Sequence, residues 1–237
     1  MAPPVTFKER LNTVKVRHAI VQGGQVIMLF VFNILFLGGD LKDVSGYVHR
    51  TLGSNTKYNK IINKTQHEKL NSGDSSSWDV SLLFQLLQKF CGLKDPNVDK
   101  WGSLGGGSLE NLLQQIKELR NDMAHDMDTI YSKDVRDQKL EEIRNLCYET
   151  LRKLEDKAPV SQEDIYEHHR LIDSIIEDAK EDINETIPDE NIRHAKSAVE
   201  IRVAEGGYVA DCFVDDSMES SDIDKLISSF WKYAGRE

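Results

Sequence analysis

Residues 26–37 constrain the fold of this chain more than any other segment, because eleven of these twelve residues are apolar. A helix that spans a bilayer needs about 20 predominantly apolar residues. The polar residues and glycines at 22–25 prevent an extension of the run toward the N-terminus. We therefore predict a fully buried helix inside a helical core, with Gly39 as its stop. We expect no membrane partner, and a membrane-anchored protein is the third alternative.

Helical periodicity dominates the first two thirds of the sequence. Asp79 and Ser108 are expected N-caps, and each precedes an amphipathic segment. A further amphipathic segment runs from Asp134 to Leu154, and no strand-type alternation of any length occurs in residues 1–157. The sequence therefore predicts an all-α fold. The expected inward faces are Leu83, Leu86, Leu87 and Phe90 in one helix, Leu109, Leu112, Leu113, Ile116, Leu119, Met123 and Met127 in the next, and Leu140, Ile143, Leu146, Cys147, Leu151 and Leu154 in the third.

The charge distribution divides the chain into two parts. Residues 1–157 hold 22 basic and 20 acidic side chains, whereas residues 158–237 hold 8 basic and 20 acidic ones. A polyanion would approach the first part and be repelled by the second. We predict a helical domain over residues 7–156 and an acidic helical extension or interaction tail over residues 157–237.

The cysteine and histidine positions indicate neither a disulfide framework nor a metal site. Cys91, Cys147 and Cys212 are scattered, which fits a reducing compartment and a cytoplasmic protein. The histidines in residues 167–169 and His194 lack the further ligands that a metal site requires. We expect no metal and no cofactor.

One short run carries residue types suited to chemistry on a phosphodiester. Arg120, Asn121 and His125 lie within six residues at the polar end of the second amphipathic helix. Histidine exchanges protons near neutral pH, whereas arginine keeps its charge and binds phosphate. The alternative is a solvated face, in which Arg120 pairs with Asp122 or Glu118.

Helical geometry limits what one copy of this run can do. Five residues place Arg120 and His125 about 140° apart around a regular helix. The two side chains could meet at one cleft if two copies dimerised about a two-fold axis, or if the helix broke near Ala124.

A longer pattern surrounds this run, and its segments follow one family in order along the chain. The segments are Ile20-Val21-Gln22-Gly23-Gly24, Leu70 ahead of a serine-rich turn, Trp78-Asp79-Val80-Ser81-Leu82-Leu83-Phe84, Phe90-Cys91-Gly92-Leu93, Trp101, and Leu119-Arg120-Asn121 with His125.

Over about residues 7–156 the chain resembles the HEPN superfamily, in particular the HEPN-like domain of the DAZ-interacting RING-type ubiquitin ligase and of related animal immune-receptor-type proteins. The resemblance implies a dimeric all-α bundle linked to RNA binding or RNA cleavage. It places Arg120, Asn121 and His125 at the active-site positions. Three scattered cysteines cannot form the ligase's RING finger.

Two functions remain open from the sequence. The first is a HEPN-type RNA-binding protein, which could be a metal-independent endoribonuclease acting as a homodimer in defence or stress signalling. His125 would then be the general base or acid, Arg120 would hold the phosphate, Asn121 would orient a reacting group, and Asp126 would modulate the histidine. The second is a non-catalytic dimerisation or scaffold module that recruits protein partners through its acidic C-terminal helices.

Overall fold

The computed structural model describes residues 7–52, 62–95, 100–103, 107–125 and 129–181. These residues form seven α-helices and no strand, so the all-α prediction is confirmed. The helices are α1 (Phe7–Leu35), α2 (Val44–Leu52), α3 (Lys64–Ser72), α4 (Val80–Phe90), α5 (Leu109–His125), α6 (Lys133–Glu155) and α7 (Gln162–Lys180).

The chain divides into two compact units. The small unit comprises Met1–Lys15, Met127–Arg136 and Lys180–Glu237. The large unit comprises Val16–Asp126 and Asp137–Ala179. The helices α1, α6 and α7 each contribute residues to both units.

The predicted apolar faces form the core of the large unit. Leu119 and Leu146 are only half-buried, and Met127 lies outside the described residues. The face of α4 is almost completely enclosed, as are most members of the other two faces. Periodicity therefore identified the inward sides of α4, α5 and α6 correctly.

The apolar run in α1 is less enclosed than the sequence predicts. Most of residues 27–32 are buried, but Leu37 is 63% exposed. The helix ends at Leu35, and Gly39 lies in the following turn with a φ of 75°. The backbone N–H of Leu37 donates to the carbonyl of Phe90, 3.0 Å away. The prediction of full burial was wrong because the chain leaves the core here, where α4 also ends.

Within α1, the segment Asn12–Leu35 is the one helical segment in the described ranges that is long and apolar enough to cross a membrane. Half of its most apolar stretch is buried inside the protein, and core helices of soluble proteins meet the same criterion. The expected absence of a membrane partner stays a prediction.

Two adjacent glycines let other helices approach α1 closely. A Cβ atom on Gly24 would lie 2.9 Å from Cγ2 of Ile116 and 3.3 Å from Cγ2 of Val80. A Cβ atom on Gly23 would lie 3.7 Å from Sγ of Cys147, which is an ordinary van der Waals distance. Gly24 is thus the position where α1 touches both α4 and α5.

Side-chain caps begin α4 and α5 where the sequence predicts them. A carboxylate oxygen of Asp79 accepts from the backbone N–H of Leu82 at 2.9 Å. The hydroxyl of Ser108 accepts from the backbone N–H of Asn111 at 3.1 Å. These bonds satisfy amide groups that have no partner within the first turn of a helix.

The last described helix packs one face into the large unit. Ile165, Ile172 and Ile176 of α7 are buried, whereas Leu171 is exposed. The boundary predicted at residue 157 stays a prediction. The helices expected beyond residue 181 lie outside the described residues.

Among the described residues of the small unit, several polar side chains are buried. The hydroxyl of Thr13 donates to the carbonyl of Thr129 at 3.2 Å and accepts from the N–H of Tyr131 at 3.1 Å. Asn12 donates to the carbonyl of Tyr131 at 3.1 Å and accepts from Arg136 at 3.1 Å. Arg136 is only 1% exposed. Side chains of α1 thereby hold the backbone of residues 129–131.

Candidate functional site

Arg120 and Asn121 lie side by side on α5, at the edge of its buried face. Ile116 and Met123 are buried on either side of them, and this burial sets the rotation of the helix. Both polar residues are half-buried. The Nη1 atom of Arg120 donates to Oδ1 of Asn121 at 3.1 Å. The structure therefore brings these two predicted site residues together.

For the other two predicted site residues, His125 and Asp126, the structure describes no side-chain position. α5 remains helical through His125, so the chain shows no break near Ala124. The position of the His125 side chain lies outside what the structure describes, and Asp126 lies outside the described residues. On a continuous helix, Arg120 and His125 point about 140° apart. A role for His125 in the same site stays a prediction.

An ion pair lies at the start of α4. The Nζ atom of Lys69, near the end of α3, donates to Oδ2 of Asp79 at 2.8 Å. The other oxygen of Asp79 caps α4. Both side chains are partly exposed, at 32% for Lys69 and 38% for Asp79.

The pKa of Asp79 shows which charges reach it. Partial burial acts to raise this pKa, whereas the hydrogen bonds from Lys69 and from the backbone of Leu82 lower it. The positive charges of Lys69 and Arg120 lower it further. The pKa of Asp79 therefore lies below its ordinary value, and its carboxylate is ionised at neutral pH.

Helix packing accounts for the effect of the Arg120 charge on Asp79. Gly24 touches Val80, which follows Asp79, and also touches Ile116, which precedes Arg120 by one helical turn. The start of α4 and this turn of α5 thus lie close to each other where both approach Gly24 of α1. We call Lys69, Asp79 and Arg120 the charge cluster.

Sequence reasoning identified Asp79 only as a helix cap and did not identify Lys69. Lys69 is one of 30 basic residues and has no local pattern that distinguishes it. A second contact holds it beside the start of α4, since the indole Nε1 of Trp78 donates to the carbonyl of Lys69 at 3.1 Å. Only the packing of α3 against α4 reveals this position.

Metal ligands and thiols are the other groups that could support chemistry. No group of three or more His, Cys, Asp or Glu side chains within them could hold a metal ion. Burial raises the pKa of both Cys91 and Cys147 to about 12, so these thiols are protonated at neutral pH. A protonated thiol is a poor nucleophile.

A family model described as DZIP3/hRUL138-like HEPN matches residues 38–179. No curated protein matches the chain. No solved structure matches it either. The match spans α2 to α7 almost completely and includes Lys69, Asp79, Arg120 and Asn121.

Proposed function

The chain belongs to the DZIP3/hRUL138-like HEPN family, and from this premise we propose that it binds RNA through the surface of Arg120 and Asn121. The observation that carries the proposal is the state of the Arg120 guanidinium. It is half-buried, and among the described residues its one hydrogen bond goes to the adjacent Asn121. A guanidinium has five N–H donors in a planar fork, which leaves donors for a phosphate.

The charge distribution supports the same surface. The part of the chain that contains Arg120 has slightly more basic than acidic residues, whereas residues 158–237 are strongly acidic. An RNA strand would therefore approach the helical domain and be repelled by the C-terminal part.

RNA cleavage is the finer form of this proposal. His125 would take the proton of a ribose 2′-hydroxyl or give one to the leaving oxygen, and Arg120 would stabilise the charge that develops on the phosphate. Asn121 would orient the phosphate or the imidazole, and Asp126 would modulate the histidine. The products would be a 2′,3′-cyclic phosphate and a 5′-hydroxyl. Because one helix points Arg120 and His125 apart, a homodimer would complete the site.

Binding is tested with a fluorescein-labelled single-stranded RNA by fluorescence anisotropy. We expect Arg120→Ala to weaken binding by about tenfold, because it removes charged hydrogen bonds to phosphate. Arg152→Ala is the matched control, since Arg152 is an exposed arginine that pairs with Glu149 on its own helix. Equal affinities of the two variants would contradict the proposed surface.

Cleavage is tested separately with the same RNA in the presence of EDTA, with the product ends identified chemically. We expect His125→Ala to slow cleavage by about 100-fold or more, as for loss of a general acid or base. His49→Ala is the control, because His49 is an exposed histidine on α2. Turnover by His125→Ala at the wild-type rate would exclude this mechanism.

The scaffold function gives the opposite pattern in these assays. A wild-type protein that self-associates, but neither binds nor cleaves RNA, would favour a dimerisation module with protein partners. Its acidic C-terminal residues would then supply the recruiting surface. Size-exclusion chromatography with light scattering measures the self-association directly.

A further inference from the structure

The Lys69–Asp79 ion pair is partly exposed and uses only one of the N–H donors of Lys69. An ammonium group has three N–H donors, and Asp79 occupies one of those of Lys69. Because both side chains are partly exposed, a solvent-borne anion can reach the ammonium group. Lys69 is therefore held in place and remains able to bind a second acceptor.

The charge cluster has an excess of positive charge. Lys69 and Arg120 are two cations that act on the single carboxylate of Asp79. Gly24 lies close to both Val80 and Ile116, which places the start of α4 near this turn of α5. An anion bound at the cluster would be attracted by both cations.

We propose that Lys69 and Arg120 together form a phosphate-binding site for an RNA strand, and that Asp79 positions Lys69 while competing with the phosphate. This inference rests on the proposed RNA binding and adds two residues, on α3 and at the start of α4. The phosphodiester is the ligand, and its non-bridging oxygens take the donors that Asp79 leaves unused.

The competition follows from the chemistry of the carboxylate. Asp79 presents anionic acceptor oxygens of the kind that a phosphate presents, and one of them already bonds to Lys69. The carboxylate also repels an approaching phosphate. Its removal should tighten RNA binding, provided that the helix cap survives. Asparagine caps helices about as well as aspartate, so Asp79→Asn removes the charge and keeps the cap.

The experiment measures the affinity of a fluorescein-labelled single-stranded RNA for the full chain by anisotropy over a series of salt concentrations. We expect Lys69→Gln to reduce the salt slope by about 0.7 and to weaken binding about fourfold at about 0.15 M salt. We expect Lys69→Arg to bind like wild type, because the charge is kept. We expect Asp79→Asn to bind about twofold more tightly.

Lys89→Gln is the matched control, because Lys89 is an exposed lysine at the other end of α4. If Lys69→Gln loses no more affinity or salt slope than Lys89→Gln, the inference is wrong. Weaker binding by Asp79→Asn would also overturn it. A purely structural ion pair would change the melting temperature of these variants and leave the salt slope unchanged.

The same experiment separates this inference from the proposed function. If Arg120→Ala loses binding but Lys69→Gln does not, RNA binding stands and the two-cation site fails. If the wild-type chain shows no affinity for the RNA at any salt concentration, the proposed function itself fails.

Discussion

Two adjacent segments of α1 bury side chains of opposite polarity. Between Val16 and Phe32, α1 contributes apolar side chains to the core of the large unit. From Asn12 to Lys15, the same helix buries an amide, a hydroxyl and an ammonium group in the small unit. Lys15 donates to the carbonyl of Glu181.

Burial alone therefore does not define an apolar core. An apolar core tolerates exchanges of similar volume, because its contacts have no fixed direction. A buried polar group that loses its partner costs about 1–3 kcal/mol, and more if it is charged. The small unit should therefore be far more sensitive to changes that preserve side-chain volume.

The largest expected effect is that of Arg136→Met in the small unit. The variant leaves the buried amide oxygen of Asn12 without its donor. We expect the free energy of unfolding to fall by about 3 kcal/mol, as measured by urea denaturation.

Met28→Leu in the large unit is the matched control for this change. Met28 is fully buried, and exchanges between Leu and Met in a core cost less than about 1.5 kcal/mol. Equal losses of unfolding free energy in the two variants would contradict the expected difference in sensitivity between the units.

A second pair of variants exchanges side chains of nearly equal volume three positions apart on α1. Thr13→Val leaves the N–H of Tyr131 and the carbonyl of Thr129 without the hydroxyl that joins them. We expect a loss of about 2 kcal/mol and faster hydrogen exchange at the amide of Tyr131.

Val16→Thr places a hydroxyl in the apolar region, where Val16 is fully buried. A helical threonine can donate to a backbone carbonyl one turn earlier, so we expect a smaller loss of about 1 kcal/mol. Protection of the Tyr131 amide should be unchanged in this variant.

A third pair tests how tightly the apolar region is packed. In Gly24→Ala, the added Cβ lies 2.9 Å from Cγ2 of Ile116, so helices must shift. We expect a net loss of about 1 kcal/mol, because this overpacking exceeds the gain in helix propensity. Thermal unfolding measures the change.

In Gly23→Ala, the added Cβ has only ordinary contacts, the nearest at 3.7 Å. Helix propensity then decides the outcome. We expect the melting temperature to rise and the free energy of unfolding to increase by up to about 1 kcal/mol. A loss in both variants would mean that the apolar region has no spare volume even at Gly23.

An effect of similarly small size is expected at the charge cluster. Asp79→Ala removes the cap of α4 and should cost about 1 kcal/mol. Although partial burial acts to raise it, the pKa of Asp79 is depressed by its bonds to Lys69 and Leu82. Stability from this charge is therefore present above about pH 4 and is lost as the pH falls through the lower folded-state pKa.

Asp79→Asn isolates the charge from the cap. We expect its unfolding free energy to approach that of the wild type as the pH falls below about 4. If the difference in unfolding free energy between the two proteins stays constant over this pH range, the contribution of Asp79 to stability comes from hydrogen bonding alone.

The sequence predicted much of the large unit but little of the small one. The caps at Asp79 and Ser108 and most of the inward faces of α4, α5 and α6 were correct, because periodicity and capping act within a few residues. Leu119 and Leu146 are only half-buried, and Met127 lies outside the described residues. The polar network of the small unit joins Asn12 to Arg136 across a separation of 124 residues. No local pattern encodes such a pairing.

The candidate site likewise has a part that the sequence predicted and a part that it did not. From the sequence alone, helical periodicity predicted that Arg120 lies at the edge of the apolar face of one helix and that Asn121 points outward. The hydrogen bond between the two side chains is a finding of the structure. The ion pair between Lys69 and Asp79, and the effect of the Arg120 charge on that carboxylate, depend on the tertiary structure, because the three residues lie in separate segments of the chain. Gly24 lies where α1 approaches Val80 of α4 and Ile116 of α5. A glycine in a sequence does not reveal which helices its missing side chain admits.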